Sequence, residues 1–418
     1  MSAAPLTALP VTQAADAIRA GELTSEALVE AHLARIAERE PMVRAWAHLD
    51  PDAALAQARA RDAEAPRGPL HGIPVGIKDL IDTADELTEY GSPIYAGRRP
   101  AHDATSVARL RAAGAVILGK TVTTEFALFH PGPTTNPHDT TRTPGGSSSG
   151  SAAAVADGMV GLALGTQTAA SVVRPASYCG IFGLKPTFGA IPTHGVKSIS
   201  PSLDTVGVFA RHAGDLAVAL EVLARDPVPR DAAPRRVGWV RTFEWDRAGA
   251  ATRQAVESVA ADLALPEIRL PDAFTDLVAA QTAIMVSEAA QHLDAERRAH
   301  GGLISAALHD VLAAGDAVTA DEVARAHDLA RRCRDDLAEV FADVDALLAP
   351  SVVGEAPVGI DATGDPLFCR IWTLLGTPTV AVPGLRGPSG LPLGVQVVAA
   401  PGDDATAIGA ARWLADRL

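Results

Sequence analysis

The sequence predicts one α/β domain with helical insertions. Three observations carry this. Short apolar runs of strand length alternate with segments of helical period, as when helices are laid on a sheet. The 418 residues are 48% hydrophobic and 21% charged, so a sizeable core can be buried. No internal repeat appears, and no composition shift marks a linker at which the chain would divide.

The elements follow in order. Thr12 to Gly21 reads as a short helix with Ala14, Ala15 and Ile18 on one side. Thr24 caps a second helix, acidic Glu26 suits its first turn, and Pro41 marks its stop. Asp50-Pro51 is a cap followed by a first-turn proline, opening a helix to about Ala63. Leu70 to Asp79 mixes Gly/Pro punctuation with apolar residues and reads as a buried strand entered through a turn, with Lys78 at its end. A helix from Ala104 to Ala113 precedes a strand at Ala115–Gly119. After a Gly/Ser loop, Ala152–Ala156 is helical and Val160–Gly165 is a second apolar strand. A helix spans Ala213 to Ala224, and Val237–Val240 is strand-like. Thr319 and Glu322 form a capping box for a helix whose apolar positions run through Val323, Ala326, Leu329, Leu337, Val340 and Phe341. Strands at Ala346–Ala349, Thr379–Val382 and Leu393–Val398 and an amphipathic helix complete the chain.

Composition excludes several functions. The formal charge is −14 with no Lys/Arg-rich run, which argues against nucleic-acid binding through a basic surface. No apolar run is long enough to span a membrane, and the N-terminus lacks a secretory signal pattern. Cys179, Cys333 and Cys369 have neither disulfide-like nor metal-ligand spacing, so a cytoplasmic location and no metal are expected. A small-molecule substrate is the expected partner, and a homodimer is compatible with the sequence.

The stretch Arg142-Thr143-Pro144-Gly145-Gly146-Ser147-Ser148-Ser149-Gly150-Ser151 invites two readings. One is a flexible Gly/Ser linker; the other is a rigid, hydroxyl-bearing loop in an active site. By itself the loop leaves them equal. A phosphate-binding loop is the weakest reading, because no Gly-Lys-Ser/Thr follows. Amide hydrolysis needs a nucleophile, a base, a donor to the leaving amine and donors to the oxyanion. Lys78, Ser147 and Ser171 supply candidate parts, since a lysine held partly neutral can serve a serine as base. Taken singly, Lys78 is as well explained by solvation, Ser147 by a turn and Ser171 by a helix start.

Their order is more specific. Gly76-Ile77-Lys78-Asp79, then Pro144 to Ala153, then Gly165-Thr166-Gln167-Thr168-Ala169-Ala170-Ser171-Val172-Val173-Arg174-Pro175-Ala176 resemble the amidase signature family. Cys179 to Thr187, Ser202 to Gly207, Gly376 to Pro383 and Leu391 to Gln396 extend the match. The resemblance implies a single domain with a central mixed, twisted β-sheet covered by helices on both faces. It also implies N-terminal helices over about 1–65, a signature core over about 66–225, a variable helical region over about 226–345 and a sheet-completing part over about 346–418.

For the chemistry, the resemblance implies an amidase that cleaves linear C–N bonds through an acyl-enzyme, without a cofactor. Ser171 would be the nucleophile, Ser147 a bridging serine preceded by a cis peptide, and Lys78 the base. Backbone N–H groups of Thr168, Ala169, Ala170 and Ser171 would form the oxyanion hole. Alternatives are a carbamate or urea-derivative hydrolase, the glutamine-hydrolysing subunit of an amidotransferase complex, and a non-catalytic binding protein on the same fold.

Three positions depart from the family pattern. Relatives often carry Asp at Gln167 and glycine at Ala170 and Ser149. Gln167 removes a negative charge from the site, and Ala170 would be strained if its φ were positive. Arg174 reads as a local anchor, with a substrate-carboxylate contact as the alternative. Lys185 and Asp204 read as structural. His130 and Tyr90 lie in stretches able to approach a pocket, and Cys179 reads as a packed small residue.

Overall fold

The computed structural model describes residues 5–230, 232–234 and 236–418. Ten strands form one sheet among them: β1 Trp46–Leu49, β2 Pro74–Lys78, β3 Val116–Thr121, β4 Leu162–Gln167, β5 Phe182–Lys185, β6 Thr205–Ala210, β7 Val237–Trp239, β8 Ala346–Pro350, β9 Thr379–Val382 and β10 Val395–Ala399. Their spatial order is β1-β3-β2-β4-β6-β5-β9-β10-β8-β7. The sheet is mixed. β2 runs parallel to β3 and β4, and β7 to β8, while the remaining pairs are antiparallel.

Alternation along the strands sorts side chains to two faces. Val75, Ile77, Leu162, Leu164, Val206 and Val208 enter one core, which the helices Ala213–Leu223 and Asp404–Ala415 cover. Val116, Leu118, Ala163 and Phe209 enter the other, against Ser25–Val43, Ser149–Ala156 and Val173–Cys179. A third core joins β8 and β10 to helices Leu277–His292, Ala306–Asp316 and Ala320–Asp335. The single α/β domain with helices on both faces is therefore as expected. No described helix is long and apolar enough to cross a membrane.

Side-chain caps set the starts of several helices. The Thr24 hydroxyl accepts from Ala27 N–H at 3.1 Å, and Asp50 caps the helix that begins at Pro51. Thr319 and Glu322 make the reciprocal capping box. Two boundaries differ from expectation. Pro41 lies inside its helix, which runs on to Val43 and closes with Arg44 N–H on the Glu40 carbonyl. Proline in the last turn removes one bond, and the neighbouring bond closes the helix. The helix from Ala320 ends at Asp335, and Leu337–Val340 is a separate turn. The first is buried through Ala326, Ala330 and Cys333, a small-residue face that the larger residues obscured.

Candidate active site

The parallel alignment of β2 and β4 decides where the chemistry sits. Both strands deliver their C-terminal ends to the same edge of the sheet, the usual location of ligand sites in α/β structures. β2 ends on Lys78 and β4 on Thr166-Gln167. Lys78 is fully buried. Its Nζ lies 2.8 Å from Ser147 Oγ and donates to Thr166 Oγ1 at 2.7 Å. Burial disfavours its ammonium form and holds its pKa well below 10.5, against the opposing pull of Asp204.

The serine loop is buried and rigid. Ser147, Ser148, Ser149 and Ser151 are all buried, so the linker reading fails. Each later serine ties the loop or its helix to the sheet. Ser148 Oγ donates to the Thr166 carbonyl and accepts from its N–H at 3.2 and 3.3 Å. Ser149 Oγ donates to the Val122 carbonyl at 3.4 Å. Ser151 Oγ donates to the Leu164 carbonyl at 2.8 Å and lies 2.7 Å from Thr121 Oγ1. Ala152, Ala153 and Ala154 carry no exposed surface, since small side chains let this helix lie close to the sheet. The Gly146–Ser147 peptide is cis. Both neighbouring carbonyls are held: Arg174 Nη2 donates to Gly146 O at 2.7 Å, and Thr124 N–H donates to Ser147 O at 3.2 Å.

Ser147 and Ser171 line one small cavity of about 20 Å³ with Thr168, Ala169 and Arg174. Ser171 Oγ has no hydrogen-bond partner among the described residues and faces this space with 7% residual exposure. The turn before it is pinned through its carbonyls. Thr168 O accepts from Gln281 Nε2 at 2.9 Å, Ala169 O from Thr373 Oγ1 at 2.8 Å, and Ala170 O from Arg174 N–H at 2.9 Å. The N–H groups of Thr168, Ala169, Ala170 and Ser171 have no acceptor among the described residues. Neither Ala169 nor Ala170 has a positive φ, so the anticipated strain at Ala170 does not arise.

This donor-rich turn, with a buried lysine and two serines on one cavity, agrees with the comparisons with known proteins. The family model described as Amidase matches residues 27–408. The chain belongs to the amidase family. A glutamyl-tRNA(Gln) amidotransferase subunit from Chloroflexus aurantiacus is 38% identical, over 95% of this chain and 94% of that protein. The solved peptide amidase of Stenotrophomonas maltophilia is 30% identical at a TM-score of 0.84, covering 99% of this chain and 97% of its own. The solved 6-aminohexanoate cyclic dimer hydrolase is 26% identical at a TM-score of 0.86, with 99% and 98% covered. This amidase is accordingly a hydrolase of carbon–nitrogen bonds.

Gln167 compensates for the missing carboxylate. Its Oε1 accepts from the N–H groups of Val172 and Val173 at 2.9 and 3.0 Å, and its Nε2 donates to Thr373 Oγ1 at 2.9 Å. It therefore satisfies the first donors of helix Val173–Cys179 and also holds the hydroxyl that fixes Ala169. Arg174 anchors as expected, on Gly146, Thr363 Oγ1 at 2.9 Å and the Gly364 carbonyl. Asp204 accepts from Thr168 Oγ1 at 2.5 Å, Ser198 Oγ at 2.7 Å and the N–H groups of Ile199 and Ser200 at 2.9 and 3.1 Å. Lys185 donates to the Pro186 carbonyl at 2.8 Å, away from the cavity.

Tyr90 and His130 do not line the cavity. The Tyr90 hydroxyl donates to Asp82 at 2.8 Å and His130 is exposed, but Ala127, Leu128 and Phe129 beside it do line the cavity. Cys179 is buried with Sγ 3.5 Å from the Pro144 carbonyl, and burial pushes its thiol pKa up, away from nucleophilic character. Sequence reasoning missed Thr166, Gln281, Thr363, Arg370 and Thr373. Thr166 had one readable signal, a hydroxyl at the end of an apolar strand aligned with Lys78. The other four come from the C-terminal half and carry none.

Proposed function

We propose that this amidase cleaves linear amides through an acyl-enzyme on Ser171, with Ser147 as proton relay and Lys78 as base. One observation carries the reading: a fully buried lysine, depressed in pKa, contacts at 2.8 Å a serine that shares a cavity with a second serine. In this reading neutral Lys78 takes the Ser147 hydroxyl proton as Ser147 takes that of Ser171. The Ser171 oxygen then bonds to the amide carbon. The oxyanion faces the unpartnered N–H groups of Thr168–Ser171, where one such donor is worth about 10²–10³ in turnover. The relay runs backwards to protonate the leaving amine as the C–N bond breaks. Water, activated by the same relay, attacks the acyl carbon and restores Ser171. Turnover of an aryl-amide panel tests the assignment. Near-total loss is expected in Ser171→Ala and Lys78→Ala, and retained turnover in both overturns it.

A second reading is favoured by the likeness to the tRNA-dependent amidotransferase protein, namely release of ammonia from glutamine for a partner protein. Glutamine hydrolysis that rises on adding a co-purified partner chain supports it, and glutamine inert in every combination removes it. A cytoplasmic location belongs to the same proposal, supported by three buried, unpaired thiols.

A further inference from the structure

The carbonyls of the turn before Ser171 are held by donors of unequal kind. Ala169 O accepts from the Thr373 hydroxyl at 2.8 Å and Ala170 O from a main-chain N–H at 2.9 Å, both neutral donors. Thr168 O accepts from Gln281 Nε2 at 2.9 Å, and behind Gln281 stands a charge. Arg370 Nη1 donates to Gln281 Oε1 and, at 2.9 Å, to Thr282 Oγ1. Gln281 is fully buried and Arg370 is 9% exposed. Arg370 forms no ion pair among the described residues, and Asp365, which acts on it from a distance, pairs with Arg247 at 3.0 Å. Burial, and then the charge of Arg174, lowers the Arg370 pKa to about 10, so the group stays cationic at neutral pH.

The direction of this line is fixed by its donors. A guanidinium can only donate, so Gln281 must turn Oε1 to Arg370 and Nε2 to the Thr168 carbonyl. The reversed amide would set donor against donor at one end and oxygen against oxygen at the other. Thr168 C=O and Ala169 N–H belong to one peptide unit. A hydrogen bond accepted at the oxygen draws electrons through that unit and makes its N–H a stronger donor. The Ala169 N–H has no acceptor among the described residues, and Ala169 lines the cavity with Ser171. Guanidinium, amide and peptide thus donate each to the next toward the cavity, through a buried path in which such polarisation is little screened.

We propose that Arg370 and Gln281 are positioning residues that strengthen the oxyanion hole: the buried charge of Arg370 is passed through Gln281 and the Thr168–Ala169 peptide to the Ala169 N–H. Negative charge developing on the substrate carbonyl oxygen is stabilised there. The inference rests on the acyl-transfer reading. It adds two residues that do not line the cavity, Gln281 on the helix Leu277–His292 and Arg370 on the helix Leu367–Leu374. Because the oxyanion exists only beyond the ground state, the effect falls on turnover and not on substrate binding.

The experiment measures steady-state turnover of an aryl amide together with the rate at which a fluorophosphonate labels Ser171. Urea unfolding confirms that each variant is folded. Arg370→Gln is expected to lower kcat and the labelling rate about tenfold with KM within about twofold, a fraction of what a whole oxyanion donor is worth. Arg370→Lys keeps the charge and is expected to lose only about threefold. Gln281→Glu keeps an acceptor for Arg370 but turns a carboxylate oxygen toward the Thr168 carbonyl, and a loss of about 100-fold is expected. A folded Arg370→Gln protein that turns over and labels as fast as the unsubstituted one, or whose whole loss lies in KM, overturns the inference. Should Arg370→Gln not fold, Arg370→Lys and Gln281→Glu carry the same comparison. Ser171 unlabelled in the unsubstituted protein defeats the acyl-transfer reading and this inference with it. Rapid labelling that is indifferent to Arg370→Gln defeats the inference alone.

Discussion

Arg174 Nη2 lies 2.7 Å from the carbonyl oxygen of Gly146. This bond ties the helix that follows Ser171 to the peptide that precedes Ser147. Two serines remote in sequence are thereby held to one cavity by a buried, charge-assisted contact. The site is thus a closed set of cross-braces: Arg174 to the serine loop, Gln167 and Thr373 to the Ala169 turn, and Gln281 and Asp204 to Thr168.

Thr166→Val is expected to lower turnover about 10- to 100-fold, because one of two bonds orienting Lys78 is lost. The bond to Thr166 Oγ1 also favours the ammonium form. Its loss lowers the Lys78 pKa further, so the acid limb of the kcat/KM profile moves to lower pH. A limb that stays in place or moves up would refute this role. In the unsubstituted protein the same profile rises with pH, since the working form of Lys78 is neutral.

Gln167→Glu keeps an acceptor for Val172 and Val173 but removes the donor to Thr373 and buries a carboxylate without a cationic partner. A destabilisation of about 1–3 kcal/mol is expected at neutral pH, read from urea unfolding. It diminishes below the carboxyl's raised pKa, where the protonated acid regains a donor. An undiminished midpoint at pH 7 would show that the amide N–H is dispensable.

His32 is buried, bonded through Nδ1 to the Gly158 carbonyl at 3.1 Å, and burial lowers its pKa from 6.5 to about 4. Between those values the unfolded chain binds the extra proton, so this group's contribution to stability falls as pH drops from about 6.5 to about 4. His32→Gln is expected to flatten the acid side of the stability profile, the difference from the unsubstituted protein approaching about 3 kcal/mol near pH 4. Parallel profiles for the two proteins would contradict it.

Gly150→Ala is expected to fold poorly. An added Cβ would sit 2.2 Å from the Ala45 carbonyl oxygen and 2.3 Å from Val122 N, both backbone atoms that cannot swing away. A loss of about 3 kcal/mol or more in unfolding free energy is expected, with activity falling alongside as Ser147 shifts. Alanine tolerated within about 0.5 kcal/mol would mean that the helix and β3 separate easily.

Much of the fold was legible because its signals are local. Caps at Thr24, Asp50 and Thr319 announced helices, and apolar runs announced β2, β3, β4, β8, β9 and β10. β1, β5 and β6 were not read as strands. Trp46–Leu49 mixes polar and apolar residues, and Phe182–Lys185 is short and ends on a buried lysine that looks like a surface one. Pro41 misled because a helix tolerates proline where few bonds remain to lose.

The sequence by itself determined the domain class, the family and the residues Lys78, Ser147 and Ser171 as candidates, because ordered motifs of special residue types survive in one dimension. Only the tertiary structure decided what surrounds them. Burial made a surface-type residue, Lys78, a depressed amine, and it turned a conspicuous serine loop into a sealed packing element. Gln281, Thr363, Arg370 and Thr373 reach the site from the C-terminal half, where no motif points. The reason is physical: desolvation and hydrogen-bond partnership depend on distances across the sheet, and a linear sequence fixes those distances only once the chain has folded.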